Sequence, residues 1–332
     1  MADLQTTYMG TRLRNPVMVS SNGLTGSVDG VRRCYDAGAG AVVLKSLFEE
    51  IIVSESEGLD RELLVSEHPE AYEYMRAELG MQIGPLPYLR FVEDVRKKVD
   101  IPVFASVNCT SGKWWVSYAR DLESAGADGI ELNISHFPQN AEEDARGIEQ
   151  KYIEIVQSVK SRVSIPIAVK VGFYFTSLWN ELMELAGAGA DALVLFNRYY
   201  NIDVDIETRK FVPAMTFSSP QEMSIPLRWV GLCSRELDCD ISASTGVHDA
   251  EGVIKMLLAG ATTVQLCSAI YLNDTGYLAE IIEDLDGYLE RLSCGCVDNI
   301  RGAAHENTGK DDVLLQRMQY LKALNEAAKY SI

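Results

Sequence analysis

The chain lacks any uninterrupted apolar run of about 18 residues, the length a membrane-spanning helix needs, so none of its segments reads as a membrane span. Its first residues, MADLQTTYMGTRLRNP, lack the basic-then-apolar layout of a secretory signal, and a cytoplasmic protein is expected. Basic residues are scarce: 30 Lys and Arg stand against 48 Asp and Glu, a formal charge of −18. A nucleic-acid partner needs clustered cations against its phosphates, so none is expected. A small anionic ligand stays open, because one lysine and helix N-termini can hold it against the global charge. Paired cysteines are also missing. The seven (34, 109, 233, 239, 267, 294, 296) are scattered, and without a signal they read as reduced thiols. Cys294-Gly-Cys296 is too closely spaced for a tetrahedral zinc pair and has no partner pair, so no metal is expected.

What is present is a repeated phrase: DAGAGAVVL at 36–44, SAGADGIEL at 124–132, GAGADALVL at 187–195 and LAGATTVQL at 258–266. Each reads as a helix end, a glycine corner and an apolar strand. Gly38, Gly126, Gly189 and Gly260 fit the left-handed position just past a helix. Continuous apolar runs mark strands covered on both faces. The repeats give strands near 41–45, 128–133, 191–197 and 263–267. Four more begin at Pro16 (PVMVSSN), Pro102 (PVFASVN), Pro166 (PIAVKV) and Asp240 (DISAST). Apolar positions recurring at three and four predict helices at 147–162, 178–188 and 249–259. Eight strands with intervening helices make an α/β protein, a (β/α)8 TIM barrel ahead of a doubly wound sheet, with 1–332 read as a single domain. Long segments at 46–87 and 198–227 are expected to cover the C-terminal face, and a C-terminal helix is expected at 311–329.

In such a barrel, chemistry gathers just past the C-terminal ends of the strands. Those positions hold Ser20-Ser21-Asn22, Lys45-Ser46, Asn108, Asn133, Lys170, Asn197, Ser244-Thr245-Gly246 and Cys267-Ser268. Asparagine presents a donor and an acceptor together, which suits a ring of carbonyls and imides. Lysine neutralises a developing anion. Small residues after strands seven and eight suit a phosphate site. Singly, each of these is an ordinary loop cap. Jointly, they describe a pocket for a phosphorylated cofactor with a polar ring system. Flavin mononucleotide (FMN) is the first candidate and a phosphorylated sugar substrate the second.

The motifs LRNPVMVSSNGLTGS, VVLKS, GADGIELNIS, IPIAVKV, ALVLFN and STGVHDAEGVIKMLLAGATTVQLCSAI carry a resemblance to the dihydroorotate dehydrogenases, FMN-containing (β/α)8 barrels, along nearly the whole chain. The branch without a membrane-associating extension is the more similar. The resemblance implies that Ser20, Ser21 and Asn22 lie against the flavin. It implies that Lys45 contacts flavin and substrate, with Ser46 beside it, and that Lys170 stands at the flavin N1/O2 edge. Asn108 and Asn133 are implied as flavin or substrate amides and Asn197 as a substrate amide. Thr245-Gly246 and Cys267-Ser268 form the implied phosphate clamp, where the family more often has two glycines and Gly-Thr. A homodimer is likewise what the family suggests.

Departures bear on the chemistry. Family members that oxidise dihydroorotate carry Asn-Leu-Ser-Cys-Pro-Asn, or a serine on another loop, and the Cys or Ser removes the substrate proton. Here Asn133-Ile134-Ser135 runs into His136-Phe137-Pro138-Gln139-Asn140. The Asn-x-x-Gly-x-x-Asn substrate segment after strand two is missing, and GMQIGPLPYL at 80–89 stands near its place. His136 is the expected base, together with Lys45 as the catalytic pair, since an imidazole titrates near neutrality. Cys109 is a second candidate base, and Tyr199 and Tyr200 are candidates to stack on a flat ring. The expected function is hydride transfer between a planar cyclic substrate, by default dihydroorotate, and FMN, in pyrimidine biosynthesis. Fumarate, a quinone, oxygen or a partner subunit all stand as acceptors. Two alternatives compete: a flavin-free phosphate-binding lyase or aldolase with Lys45 or Lys170 as Schiff-base lysine, and a non-catalytic flavin-binding barrel.

Overall fold

The computed structural model describes residues 2–48, 85–108, 112–136, 138, 140–198, 202–214 and 217–308. Eight parallel strands form its centre: β1 (Val17–Val19), β2 (Ala41–Val43), β3 (Val103–Asn108), β4 (Gly129–Asn133), β5 (Ile167–Val171), β6 (Ala192–Leu195), β7 (Asp240–Ser244) and β8 (Thr263–Leu266). Each pairs with the next, and β8 pairs back onto β1 through Val264–Val17 and Leu266–Val19, so the sheet closes. This is the expected (β/α)8 barrel, with strands one to four residues shorter than the segments expected from sequence.

The expected helices appear as α4 (Ala145–Lys160), α5 (Leu178–Gly187) and α7 (Ala250–Ala259), joined by α1 (Val28–Asp36), α2 (Pro85–Arg96), α3 (Gly112–Ser124) and α6 (Ser224–Cys233). Side-chain caps fix three starts: Ser27, Asp144 and Asp249 each accept from the backbone N–H three residues on. After β8 come α8 (Ser268–Asn273), α9 (Tyr277–Arg291) and α10 (Ala303–Thr308). The helix expected at 311–329 lies outside the described residues, as do Cys109, Tyr199, Tyr200 and residues 49–84 of the first long segment. Leu47 and Phe48 at its start add a short parallel pairing to the end of β3. The second segment is not one open loop. It contains a hairpin, Ile202–Asp205 with Lys210–Pro213, and its end already belongs to α6.

The repeated phrase has a structural cause at the bottom of the barrel. Gly38, Gly126, Gly189 and Gly260 all have φ between 90° and 111°, as the corner requires. The aspartate that follows in two repeats bonds the neighbouring strand. Asp128 accepts from Val103 N at 2.7 Å and Asp191 from Ile167 N at 2.8 Å. In the last repeat Thr262 donates instead to Asp240 (2.8 Å), whose other oxygen accepts from Met9 N (2.7 Å). That second bond latches the N-terminal hairpin, Thr6–Tyr8 with Thr11–Leu13, across the barrel floor. Tyr8, Met9 and Leu13 pack there against Met18, Ala41, Val43, Phe104, Ala168, Ala192 and Val194, the inward residues of the lowest layer. Gly129 belongs to this layer: a Cβ would stand 2.9 Å from the Phe104 ring and from the Pro166 carbonyl.

Strand side chains alternate, so the inward register continues upward in steps of two. From Met18 it reaches Ser20, and from Phe104 it reaches Ser106 and Asn108. From Gly129 it reaches Glu131 and Asn133, from Ala168 it reaches Lys170, and from Thr263 it reaches Gln265. An apolar floor therefore passes into a polar second layer, in which Ser106, Glu131, Lys170, Ser242, Thr263 and Gln265 are all buried.

Candidate active site

The polar layer centres on Lys170. Its ammonium donates to Ser20 Oγ at 3.1 Å and to Gln265 Oε1 at 3.4 Å, and lies 3.5 Å from Glu131 Oε1. The amide of Gln265 donates in turn to Glu131 Oε2 at 2.9 Å. Glu131 is 1% exposed and Lys170 6%. Charges so far from water survive only when paired, and in this Lys–Gln–Glu triangle Glu131 is held by the Lys170 ion pair and the Gln265 hydrogen bond, although its Oε1 has no hydrogen-bond donor among the described residues. Below it the Tyr8 phenol is held well above its ordinary range, first by burial and then by the charge of Glu131. The triangle thus fixes a cation at the C-terminal end of β5.

The ends of β1 and β2 are tied together by hydroxyls. Ser21 Oγ accepts from Ser46 N (2.9 Å), and Ser46 Oγ lies 3.1 Å from Ser21 Oγ and 2.7 Å from Ser106 Oγ. Asn22 closes a turn: its Oδ1 accepts from Leu24 N and its Nδ2 donates to the Ser20 carbonyl, both at 2.7 Å. Of the expected strand-one residues, Ser20 therefore joins Lys170, while Ser21 and Asn22 hold the loop. The stem of Lys45 lies along Gly26, where a Cβ would come within 3.1 Å of its Cδ. Asn108 ends β3, half-buried.

Asn197, just past β6, donates through Nδ2 to Asn133 Oδ1 at 2.8 Å, so the two expected amides meet across the rim. This leaves Asn133 Nδ2 and Asn197 Oδ1 as one donor and one acceptor side by side. His136 stands three residues past Asn133. Its backbone N–H donates to the Tyr152 hydroxyl at 2.9 Å, and its Nε2 lies 2.8 Å from Glu143 Oε2, which Lys151 also approaches at 3.4 Å. A carboxylate accepts only, so Glu143 selects the Nε2–H form of the neutral ring and leaves Nδ1 as the basic nitrogen. Past β5, Phe173 and Tyr174 stack at 4.5 Å, and Phe173 meets Phe196 edge-on at 6.0 Å.

After β7 the chain turns sharply. Thr245 and Gly246 both have φ of 78°, and a Cβ on Gly246 would stand 2.2 Å from Met223 N. Only glycine fits the second position. At the first, a β-branched residue holds a conformation costing about 1–3 kcal/mol, and its hydroxyl donates to the Phe196 carbonyl at 3.0 Å. Ser268, after Cys267, accepts from Ser218 N at 2.9 Å and from Ser218 Oγ at 3.0 Å, and His248 Nε2 lies 3.1 Å from Ser218 Oγ. Nearby, Glu222 pairs with Arg198 at 2.8 Å. Burial raises its carboxyl pKa, but the Arg198 and Ser219 hydrogen bonds prevail and hold it below the ordinary range.

Glu131, Gln265, Glu143, Ser218, His248 and Phe173 were not among the expected residues. A signal existed for the first two: GIELN and TVQL set Glu131 and Gln265 at inward positions in the middle of buried strands. For the others the signal is weak, since all lie in loops without strand register.

The rim of this barrel thus joins a buried lysine, paired amides and a hydroxyl-lined turn. The family model for dihydroorotate dehydrogenase matches residues 3–289, and the chain belongs to that family. Among similar proteins, the dihydroorotate dehydrogenase B (NAD(+)) catalytic subunit of Thermoplasma acidophilum is 27% identical over 318 residues, covering 92% of this chain and 99% of its own. Those of Methanothermobacter thermautotrophicus (27% over 315 residues) and Pyrococcus abyssi (28% over 308) each cover 91% of this chain and 99% of their own. The family implies a flavin, and the donor set fits one. The ammonium of Lys170 suits the electron-rich edge of the ring system, and the hydroxyls beside Gly246 suit a phosphate. No helix among the described residues is long and apolar enough to cross a membrane.

Proposed function

We propose that this chain, as one FMN-binding barrel domain over 1–332, oxidises dihydroorotate or a related cyclic compound at a CH–CH bond, in pyrimidine biosynthesis and in the cytoplasm. The observation that carries the reading is the Lys170 ammonium, held inside the barrel mouth by Glu131, Gln265 and Ser20. FMN, when bound, supplies the hydride acceptor. Ser20 and Lys170 would bind its ring system, with Ser21, Asn22, Ser46 and Asn108 shaping that side. Thr245, Gly246, Cys267 and Ser268 would bind its phosphate.

Lys45 and the Asn133–Asn197 pair would orient the substrate, the pair offering the adjacent donor and acceptor that an imide or carboxylate edge needs. His136 would take the substrate proton at Nδ1, the ring nitrogen that Glu143 does not engage. Family membership stands against the flavin-free lyase, and the His136–Glu143 dyad stands against a barrel without chemistry. The relatives are named as NAD(+)-linked catalytic subunits, so electrons from this chain would pass to a partner subunit.

The absorption spectrum of the purified chain tests the reading. A flavin spectrum that bleaches with dihydroorotate under anaerobic conditions is the expected result. A chain that carries no flavin would overturn it. A flavin reduced only by another cyclic compound would remove dihydroorotate and keep the oxidoreductase.

A further inference from the structure

Glu131 meets the candidate flavin site only through Lys170. The pairing of β4 with β5 sets Asn133 opposite Lys170 and Glu131 opposite Ala168, one inward step deeper. Gln265 is likewise level with Met18, one step below Ser20. A carboxylate and an amide thus form the lower tier, and an ammonium and a hydroxyl the upper tier, toward the mouth. The Lys170 ammonium has three protons. Ser20 Oγ and Gln265 Oε1 take two, at 3.1 and 3.4 Å, and one stays uncommitted. Glu131 Oε1, 3.5 Å away, acts on Lys170 by charge alone, for it accepts no hydrogen bond among the described residues. Its other oxygen is fixed by the Gln265 amide at 2.9 Å, so the carboxylate keeps its place without holding a lysine proton. This is a poor way to stabilise a fold. A buried ion pair is often no better than an apolar replacement, and an oxygen without a donor adds a desolvation cost. The consequence of the arrangement is electrostatic. Hydride transfer delivers one net negative charge to the acceptor. A lysine alone at the ring edge favours that charged product. A carboxylate behind the lysine cancels part of the effect, in a site where water screens little.

We propose that Glu131 is the counter-charge of the flavin site. Acting through Lys170, it weakens the preference of that lysine for reduced over oxidised FMN and holds the potential of the bound cofactor down, which eases the onward passage of electrons. This rests on the flavin reading above. Glu131 touches neither cofactor nor substrate, so it is a positioning residue, and Gln265 keeps it in place.

The test is reductive titration of the full-length, FMN-loaded protein against a redox dye, which reads the midpoint potential of the bound flavin. Wild type is compared with Glu131→Gln, Lys170→Met and the double variant. Potentials are expected to follow the charge left in the site: Glu131→Gln highest, Lys170→Met lowest, wild type and the double variant between them. Glu131→Gln should raise the preference for reduced FMN about tenfold, a rise of about 30 mV for a two-electron couple. Glu131→Asp, which keeps the charge, should stay near wild type. If Glu131→Gln does not fold, the double variant, which buries no charge, still decides: its potential should exceed that of Lys170→Met by a similar amount. A Glu131→Gln potential at or below wild type overturns the proposal, as does a double variant equal to Lys170→Met. A Glu131→Asp shift as large as that of Glu131→Gln marks a structural effect and overturns it too. In each of these cases FMN is still bound and the flavin reading stands. Wild type that binds no FMN removes both.

Discussion

Glu131 and Lys170 face one another inside the barrel with little besides Gln265 and Ser20 to solvate them. Removing one member leaves the other charged and uncompensated, which in buried pairs costs about 3–5 kcal/mol. Glu131→Gln alone is therefore expected to destabilise the protein by about 3 kcal/mol in denaturant unfolding. Adding Lys170→Met to it should recover most of that loss, because no charge then remains buried. A double variant no more stable than the single one would show that the pair is not coupled. His136 belongs to the same scale. A general base contributes about 10²- to 10⁴-fold, so His136→Ala should slow reduction of the bound flavin by that range while leaving its spectrum intact. Glu143→Gln, which relaxes the choice of tautomer, should slow it about tenfold in anaerobic stopped-flow. Reduction at wild-type speed in His136→Ala would remove that residue as the base.

At the scale of elements, α5 carries an anomaly: Glu181 is 1% exposed on its inner face, and its Oε1 meets no hydrogen-bond donor among the described residues. Burial pushes its carboxyl up to about 8, with Glu149 and Glu184 adding to the effect. The folded group thus holds its proton while the unfolded one, with an ordinary value near 4.5, releases it. Stability must then fall as pH rises from about 4.5 to 8 and level off above. Glu181→Gln removes that dependence, so its stabilising effect should be absent near pH 4 and grow to several kcal/mol, at most about 5, above pH 8. Parallel melts of the two proteins across that range check it. A constant difference would contradict the titration.

The elements also show what could be read from sequence. Strand order, corner glycines and helices were legible because a two-sided parallel strand must be continuously apolar and its corner must be left-handed. Lys45, Asn133 and Lys170 were legible for the same reason, since the end of an apolar run marks the rim. Glu131 and Gln265 lie inside such runs, where the apolar pattern masked them. Asn22 shows the opposite failure: asparagine serves ligands and tight turns alike, and here its side chain closes a turn. His248 and Ser218 lie in segments without periodicity, and only the folded geometry brings them together.

At the scale of the whole molecule the argument is electrostatic. The chain carries −18, yet Lys170 stands inside the barrel mouth, Lys45 is proposed to join it, and the site would receive an anion, for dihydroorotate is a carboxylate. Two fields therefore act on an approaching substrate. The diffuse negative charge of the surface repels it at long range, while the buried lysines attract it within the mouth. Salt separates them, because exposed charges are screened over a Debye length of about 8 Å at physiological ionic strength and buried pairs are screened far less. Lys170 is largely neutralised by Glu131, which further weakens the local attraction at a distance. The repulsion should thus be the part that salt removes. The second-order rate of flavin reduction by dihydroorotate is expected to rise about twofold between low and physiological ionic strength, with the first-order rate at saturation unchanged. Stopped-flow reduction across a salt series checks both. A second-order rate that falls with salt would mean that the lysines at the mouth, and not the acidic exterior, govern the encounter.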